Sequence, residues 1–271
     1  MITTVLMGGM GNQMFQYAIG RATAMRLNTN LLLEISRVND CMRQYSLGLW
    51  AGVTAPTIRA ASGEWIREEG LPYNPMIAAR ITNDCVLFGY WQTEKYFSSI
   101  RSTLLNEFTP KEPLTEYGEE IKTQILAEGN KSVFLTIRRT DYVMKQHFHG
   151  VLPIDYYLRA MELITAKVSD PHIFVFSDEP DWCKANLRLQ YRMTVAGNYD
   201  QTTATHLGRE DQELYLMRQC RHAVMANSSY SWWGAWMGAD MTGGIIVAPQ
   251  CWFTTTQEDP RDIVPERWIK L

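Results

Sequence analysis

No cysteine pair and no long apolar run organises this sequence. Its five cysteines (Cys41, Cys85, Cys183, Cys220 and Cys251) are odd in number, widely spaced and without a C-x-x-C pair. That argues against a disulfide framework or a structural zinc site and for free thiols in a reducing compartment. His147 and His149 flank Phe148, and Cys220 and His222 flank Arg221, yet neither pair supplies the three or four convergent ligands of a metal site. No metal is expected. No stretch approaches the roughly 20 apolar residues needed to span a bilayer, and the opening Met1 to Gly9 lacks the basic region and cleavage site of a secretory signal. The expectation is a cytoplasmic protein without a transmembrane segment. Positive charge is not in excess either: the net charge of −3 speaks against a nucleic-acid surface, so any functional cation must act locally.

Two chemical signatures are also missing. Without G-x-x-x-x-G-K-[ST] the chain is no Walker-type NTPase, and without a D-x-D at a strand end nothing suggests a metal-held diphosphate. What is present is an ordinary globular composition, 46% hydrophobic and 20% charged over 271 residues, enough for two domains.

Ile2 to Met7 reads as a buried strand, Met14 to Arg26 as a helix with Met14, Ala18, Ala22 and Met25 on one face, and Asn30 to Ile35 as a second strand. Between the first two lies Gly8-Gly9-Met10-Gly11-Asn12-Gln13. Its glycines let backbone N–H groups approach a ligand, and its amides offer donors and acceptors, so Gly9, Gly11, Asn12 and Gln13 are candidate donor-binding residues. The third glycine of a dinucleotide fingerprint is absent, although Glu34 stands where a ribose-binding carboxylate would. A nicotinamide-dependent oxidoreductase is therefore the alternative enzyme class, and a non-catalytic nucleotide- or glycan-binding module a third reading.

Residues 39–80 give mixed signals, residues 85–91 read as a strand, and Thr93 to Phe108 as a helix. Thr109-Pro110-Lys111-Glu112-Pro113 is the linker candidate, dividing the chain into domains 1–110 and 111–271. Thr115 should cap a helix ending near Gly129-Asn130. Beyond it come strands at Lys131 to Ile137, His172 to Ser177, Tyr191 to Val195, Ala223 to Ala226 and Ile245 to Ala248. Helices from about Ile154, Pro180, Asp211 and Ser229 alternate with them, the pattern of a parallel sheet.

Three of those strands stop on polar clusters, and open α/β sheets bind ligands beyond their carboxyl ends. The first stops on Arg138-Arg139-Thr140-Asp141, the second on Ser177-Asp178-Glu179, the third on Asn227-Ser228-Ser229-Tyr230-Ser231. Arg138 and Arg139 are planar forks suited to phosphate oxygens. Ser228, Ser229 and Ser231 head a helix whose N–H groups and dipole favour an anion. Asp178 and Glu179 can accept from a ribose hydroxyl or a purine N–H. Together they describe a nucleoside diphosphate seat.

At this point four motifs resemble one family, the α1,2-fucosyltransferases, in particular their short bacterial members. They are Gly8 to Ala18, Ile137-Arg138-Arg139-Thr140-Asp141-Tyr142, Phe176-Ser177-Asp178-Glu179, and Asn227 to Trp236, in family order and spanning nearly the whole chain. The resemblance implies an α/β fold of the GT-B-like kind, two Rossmann-like domains facing a cleft, the first on the acceptor side and the second binding the GDP-sugar. It implies inverting transfer of L-fucose from GDP-L-fucose to the 2-hydroxyl of a galactoside. The acceptor would be an oligosaccharide or a lipid-linked glycan, reached at the inner face of a bacterial membrane if peripheral contact occurs. No cofactor beyond the donor substrate is implied. Arg138 and Asp141 are the catalytic candidates; Arg138, Arg139, Ser177, Asp178, Glu179, Asn227, Ser228, Ser229 and Ser231 are the donor-binding ones. The general base stays open between Asp141 and a carboxylate from residues 34–94. Thr136 stands where the family pattern has histidine and Thr140 where it commonly has glycine, so any role of that histidine does not carry over. Residues 39–80 and 143–152 are expected to shape the acceptor pocket, with Tyr45, Trp50 or Trp65 available to stack on sugar.

Overall fold

The computed structural model of the chain describes residues 1–38, 43–144, 146–197 and 209–271. They divide into two units, Met1–Lys111 with Gln257–Pro265, and Glu112–Thr256 with Glu266–Leu271.

The first unit is built on five parallel strands, β1 (Ile2–Val5), β2 (Leu31–Glu34), β3 (Thr57–Ile58), β4 (Glu64–Arg67) and β5 (Cys85–Phe88), in the order β3-β2-β1-β5-β4. Helix α1 (Met10–Arg26) leaves β1 through a turn that needs glycine: Gly8 has φ +76°, and a Cβ there would meet the Asn12 side chain at 2.6 Å. The helix is buried nearly all round, so the single apolar face read from Met14, Ala18, Ala22 and Met25 is corrected; Met25 is exposed. After α2 (Pro75–Arg80), the single helix expected over 93–108 is also corrected. It consists of two 3₁₀ turns, Glu94–Tyr96 and Ser98–Ile100, followed by α3 (Arg101–Glu107). The reason is Phe97, which leaves helical geometry at φ −143° to bury its ring 5.8 Å from that of Phe15. Residues 257–265 join this unit through Asp262, which accepts from Tyr73 N at 2.9 Å and pairs with Lys95 Nζ at 2.6 Å.

In the second unit α4 (Glu116–Glu128) starts as its sequence implies, Thr115 Oγ1 accepting from Gly118 N at 3.0 Å. Then follow β6 (Ser132–Ile137), α5 (Thr140–Met144), α6 (Ile154–Thr165), β7 (His172–Ser177), α7 (Pro180–Asn186) and β8 (Arg192–Gly197). The chain closes with α8 (Glu210–Gln219), β9 (His222–Val224), α9 (Ser229–Met237), β10 (Ile246–Ala248) and β11 (Ile269–Lys270). The six strands are parallel in the order β11-β10-β9-β6-β7-β8. Every residue of β6 is buried, which explains why its sequence shows little polar alternation. Val133, Leu135 and Ile137 pack on one face with Tyr157, Ile164 and Val175. Strand order runs outward from β6 in one direction through β7 and β8 and in the other through β9, β10 and β11. The switch point, where ligands bind in such sheets, therefore lies between β6 and β9.

Candidate active site

Strands β6 and β7 end level, Ile137 opposite Ser177, so Arg138 and Asp178 leave the sheet side by side. Asp178 is nearly buried, at 9% exposure, and its acceptor capacity is taken up locally. It accepts from Arg139 N (3.0 Å), Thr140 N (3.2 Å) and Thr140 Oγ1 (2.6 Å), and faces Arg138 Nη1 at 3.2 Å. The carboxylate thus folds the Arg138–Thr140 turn. The hydroxyl of Thr140, which a glycine there would lack, supplies one of its donors.

Arg138 is gripped on a second side by Asp141, whose Oδ1 lies 3.0 Å from Nε and 2.8 Å from Nη2; that pair is half-open to solvent, at 25% and 30% exposure. Arg139 donates from Nε to Glu179 Oε2 at 2.7 Å and lays its guanidinium 3.9 Å from the centre of the Trp182 ring. Two guanidiniums therefore face three carboxylates. Ser177 Oγ accepts from Glu179 N at 3.0 Å, closing the turn into α7.

Across the switch point, Thr136 Oγ1 accepts from the buried Ala226 N at 2.8 Å and so ties the end of β6 to the exit of β9. That gives the threonine at the family's histidine position a structural task. Asn227 is buried and spends its amide on the carbonyls of His149 (2.7 Å) and Trp252 (3.1 Å). Its own carbonyl accepts from Tyr142 Oη at 2.9 Å, and the Tyr142 ring stacks on His149 at 4.5 Å. Burial pushes the Tyr142 hydroxyl up to about 12, so it stays protonated as a donor. Ser228 stands at the N-cap of α9 but makes no side-chain cap, which leaves the amides of the first turn facing the switch point, with Ser228 and Ser231 buried and Ser229 partly exposed beside them.

Two residues of this edge, Trp182 and Glu213, escaped the sequence reading, and Tyr142 entered it only as the end of a motif, with no role. Glu213 on α8 is 4% exposed, with Oε2 hydrogen-bonded to Tyr230 Oη at 3.0 Å. Burial raises its carboxyl to about 8 against the opposing effect of that hydrogen bond, with Glu210 raising it further and Arg138 lowering it. A neutral acid thus stands within the field of the arginine fork at pH 7. Its one sequence signal is the run Asp211-Gln212-Glu213 ahead of the apolar stretch Leu214 to Met217; the structure buries all three polar side chains.

The glycine-turn candidates belong to the first unit. Gly9 precedes α1 with open space where a Cβ would be, and Gly11 lies in its first turn. Asn12 Oδ1 accepts from Gln92 Nε2 at 2.7 Å. Gln13 is buried, donating to the carbonyls of Gly8 (2.9 Å) and Gln44 (2.8 Å) and accepting from Ser46 N (2.9 Å). Glu34, the basis of the nicotinamide reading, is buried and turned back on Ser36 N at 2.7 Å. Of the aromatics considered for sugar stacking, Trp50 is core and Trp65 is exposed on β4; residues 39–42 and 145 of the expected acceptor segments lie outside the described residues. Cys85, Cys183, Cys220 and Cys251 are free thiols, and Cys41 lies outside the described residues. Among the described residues no three His, Cys, Asp or Glu side chains converge to hold a metal, and no helix is long and apolar enough to cross a membrane.

The family model described as glycosyl transferase family 11 matches residues 77–271. An α-1,2-colitosyltransferase of Escherichia coli is 27% identical over 98% of this chain and 97% of its own. The galactoside 2-α-L-fucosyltransferase Sec1 of Mus musculus is 27% identical over 100% of this chain and 74% of its own. Among solved structures, the fucosyltransferase NodZ from Bradyrhizobium aligns at a TM-score of 0.54 and 9% identity, covering 88% of this chain and 93% of its own. A NodZ α-1,6-fucosyltransferase soaked with GDP-fucose aligns at 0.50 and 10% identity, covering 88% and 92%. Those likenesses are of fold, and with two parallel α/β units they agree with the GT-B-like class.

Proposed function

The chain belongs to glycosyl transferase family 11, and from that premise we propose that it transfers L-fucose from GDP-L-fucose to the 2-hydroxyl of a galactoside with inversion. The relatives named for α-1,2-linked transfer and for galactoside acceptors support the reaction, and the GDP-fucose soaked into NodZ supports the donor. The observation that carries the reading is the pairing, at the switch point of the second sheet, of the Arg138–Arg139 fork with the uncapped start of α9.

In this reading the diphosphate lies between the fork and the first-turn amides of α9, with Glu179 toward the nucleoside. Asp178 and Asn227 act as positioning residues, since their polar atoms are already committed to the chain. As the glycosidic bond breaks, negative charge grows on the leaving diphosphate, and Arg138 stabilises it most where it is greatest, in an oxocarbenium-like transition state. The exposed Arg138–Asp141 pair must open for this. A diphosphate that takes the guanidinium draws it from Asp141, whose carboxylate can then accept a proton from the incoming hydroxyl.

The test is a transfer assay with GDP-fucose and GDP-colitose against a panel of galactosides, with the linkage of the product determined. An α1,2-linked product, formed without loss of rate in a chelator, is expected. A product with another linkage, or turnover abolished by chelation, would overturn the reading.

A further inference from the structure

At the amino-terminal edge of the second sheet, opposite the arginine fork, the starts of β6, β9 and β10 and the exit of α6 border an open cavity of about 430 Å³. Its polar wall is Asn130, Lys131, Lys167, Ser169, Arg221 and His222. Three of these six carry fixed positive charge, on a chain whose net charge is −3.

The frame holding them is rigid. Ser132 Oγ accepts from Arg221 N at 3.0 Å and donates to Gly129 O at 2.8 Å. Gly244 packs so closely that a Cβ there would overlap the Arg221 carbonyl, and Arg221 Nη1 donates to Thr242 O. His222 is locked as a neutral ring: Nδ1 accepts from Ile245 N at 2.9 Å and Nε2 meets Asn130 O at 3.0 Å. The cations themselves are weakly compensated. Lys131 lies 3.5 Å from Asp170, with the two side chains 45% and 66% exposed, and Asp170 is shared with Arg192 at 3.5 Å. Lys167 makes no ion pair with a described residue. All three cations follow helix C-termini, where they complement the dipole; that accounts for their sign but not for a hollow framed between them.

We propose that this cavity is a phosphate site. Lys131, Lys167 and Arg221 take the oxygens, Ser169 adds a hydroxyl, and Val168 and Ile245 border the carbon attached to the phosphate. Its occupant is a phosphomonoester or phosphodiester, carried either by a small soluble molecule or by a lipid headgroup. The helix C-terminal dipoles oppose an anion here, so binding depends on the lysines.

The experiment titrates inorganic phosphate into the full chain by calorimetry at constant ionic strength. Saturable binding with a Kd of roughly millimolar is expected. The exposed-site variant K131Q/K167Q should weaken it about tenfold or more, and K131R/K167R should keep it within about twofold. The same binding should persist when saturating GDP occupies the arginine fork at the other edge of the sheet. No saturation, equal binding by K131Q/K167Q, or loss of binding in the presence of GDP would overturn the proposal. Flotation with phosphatidylglycerol and phosphatidylcholine vesicles then separates the sources. Capture by the anionic vesicles alone, lost in K131Q/K167Q, identifies a headgroup; phosphate binding without capture identifies a soluble ligand; capture that ignores the lysines counts against the site.

Discussion

Replacing Asp178 by Asn tests whether one carboxylate shapes the arginine turn. The substitution keeps volume and changes one acceptor oxygen into a donor. In the native site both oxygens are used: Oδ1 takes Arg139 N at 3.0 Å, while Oδ2 takes Thr140 N, Thr140 Oγ1 and Arg138 Nη1 at 3.2, 2.6 and 3.2 Å. Whichever way the amide turns, its NH₂ group faces a backbone N–H that is also a donor. Hydrogen bonds to a charged acceptor contribute about 1.5–3 kcal/mol each, and a buried donor left unpaired costs about 1–3 kcal/mol. These effects overlap within one network, so the loss is taken as about 3 kcal/mol and not as their sum. For a folding unit of this size that corresponds to a Tm lower by roughly 6–12 °C. Scanning calorimetry reads the first consequence. The second is a fall in kcat, because Arg138 loses the anchor on its Nη1 side. A variant with a Tm within about 1 °C of the parent and an unchanged kcat would refute the argument that Asp178 builds the turn.

Arg138→Lys should lower kcat by about 10²-fold or more, the scale of a single preorganised donor, because an ammonium cannot replace the fork; steady-state kinetics with saturating donor checks it. Thr136→Val should cost about 1–3 kcal/mol by stranding the buried Ala226 N, with Thr136→Ser nearly neutral, read from denaturant midpoints. Glu213 supplies a pH signature. Its carboxyl is raised from 4.5 to about 8, so between those values the folded state holds a proton that the unfolded state has released, and stability falls as pH rises across that window. The Glu213→Gln variant, never charged, should lose this slope, and the difference between the two proteins' Tm values should therefore grow from pH 5 to pH 8. Tyr230, Glu210, Arg138 and Asp178 face the group and stay the same in both proteins.

The legible parts of the fold were those in which one local rule dominated. Strand β6 is buried on both faces and so reads as a mostly apolar run without alternation, and α4 opens on a threonine that caps it. The Arg138, Asp178 and Asn227 clusters stood out because polar residues stopped three such strands. Strands β3 and β4 were hidden for the opposite reason. In β4, at the edge of the sheet, Glu64, Trp65 and Arg67 are exposed and Ile66 alone is buried, so no buried-strand run marks it. The Thr93–Phe108 segment has helical composition, but long-range burial of Phe97 overrides it. Residue type announced which side chains could meet a diphosphate. Only the structure shows that Asp178 and Asn227 spend their polar atoms on the chain itself, or that Glu213, distant in sequence, is coupled electrostatically to Arg138.

The return of residues 257–265 to the first unit makes the two units inseparable by a single cut. A fragment ending at Lys111 would be missing Asp262, leaving Tyr73 N without its acceptor and removing one carboxylate from Lys95, while a fragment starting at Glu112 would carry that carboxylate as an orphaned strap. Deletions from the C-terminus should therefore first remove β11 from the second sheet and, once they pass Pro265, unsettle the N-terminal half of the chain. A split protein should reassemble only when the strap is supplied in trans.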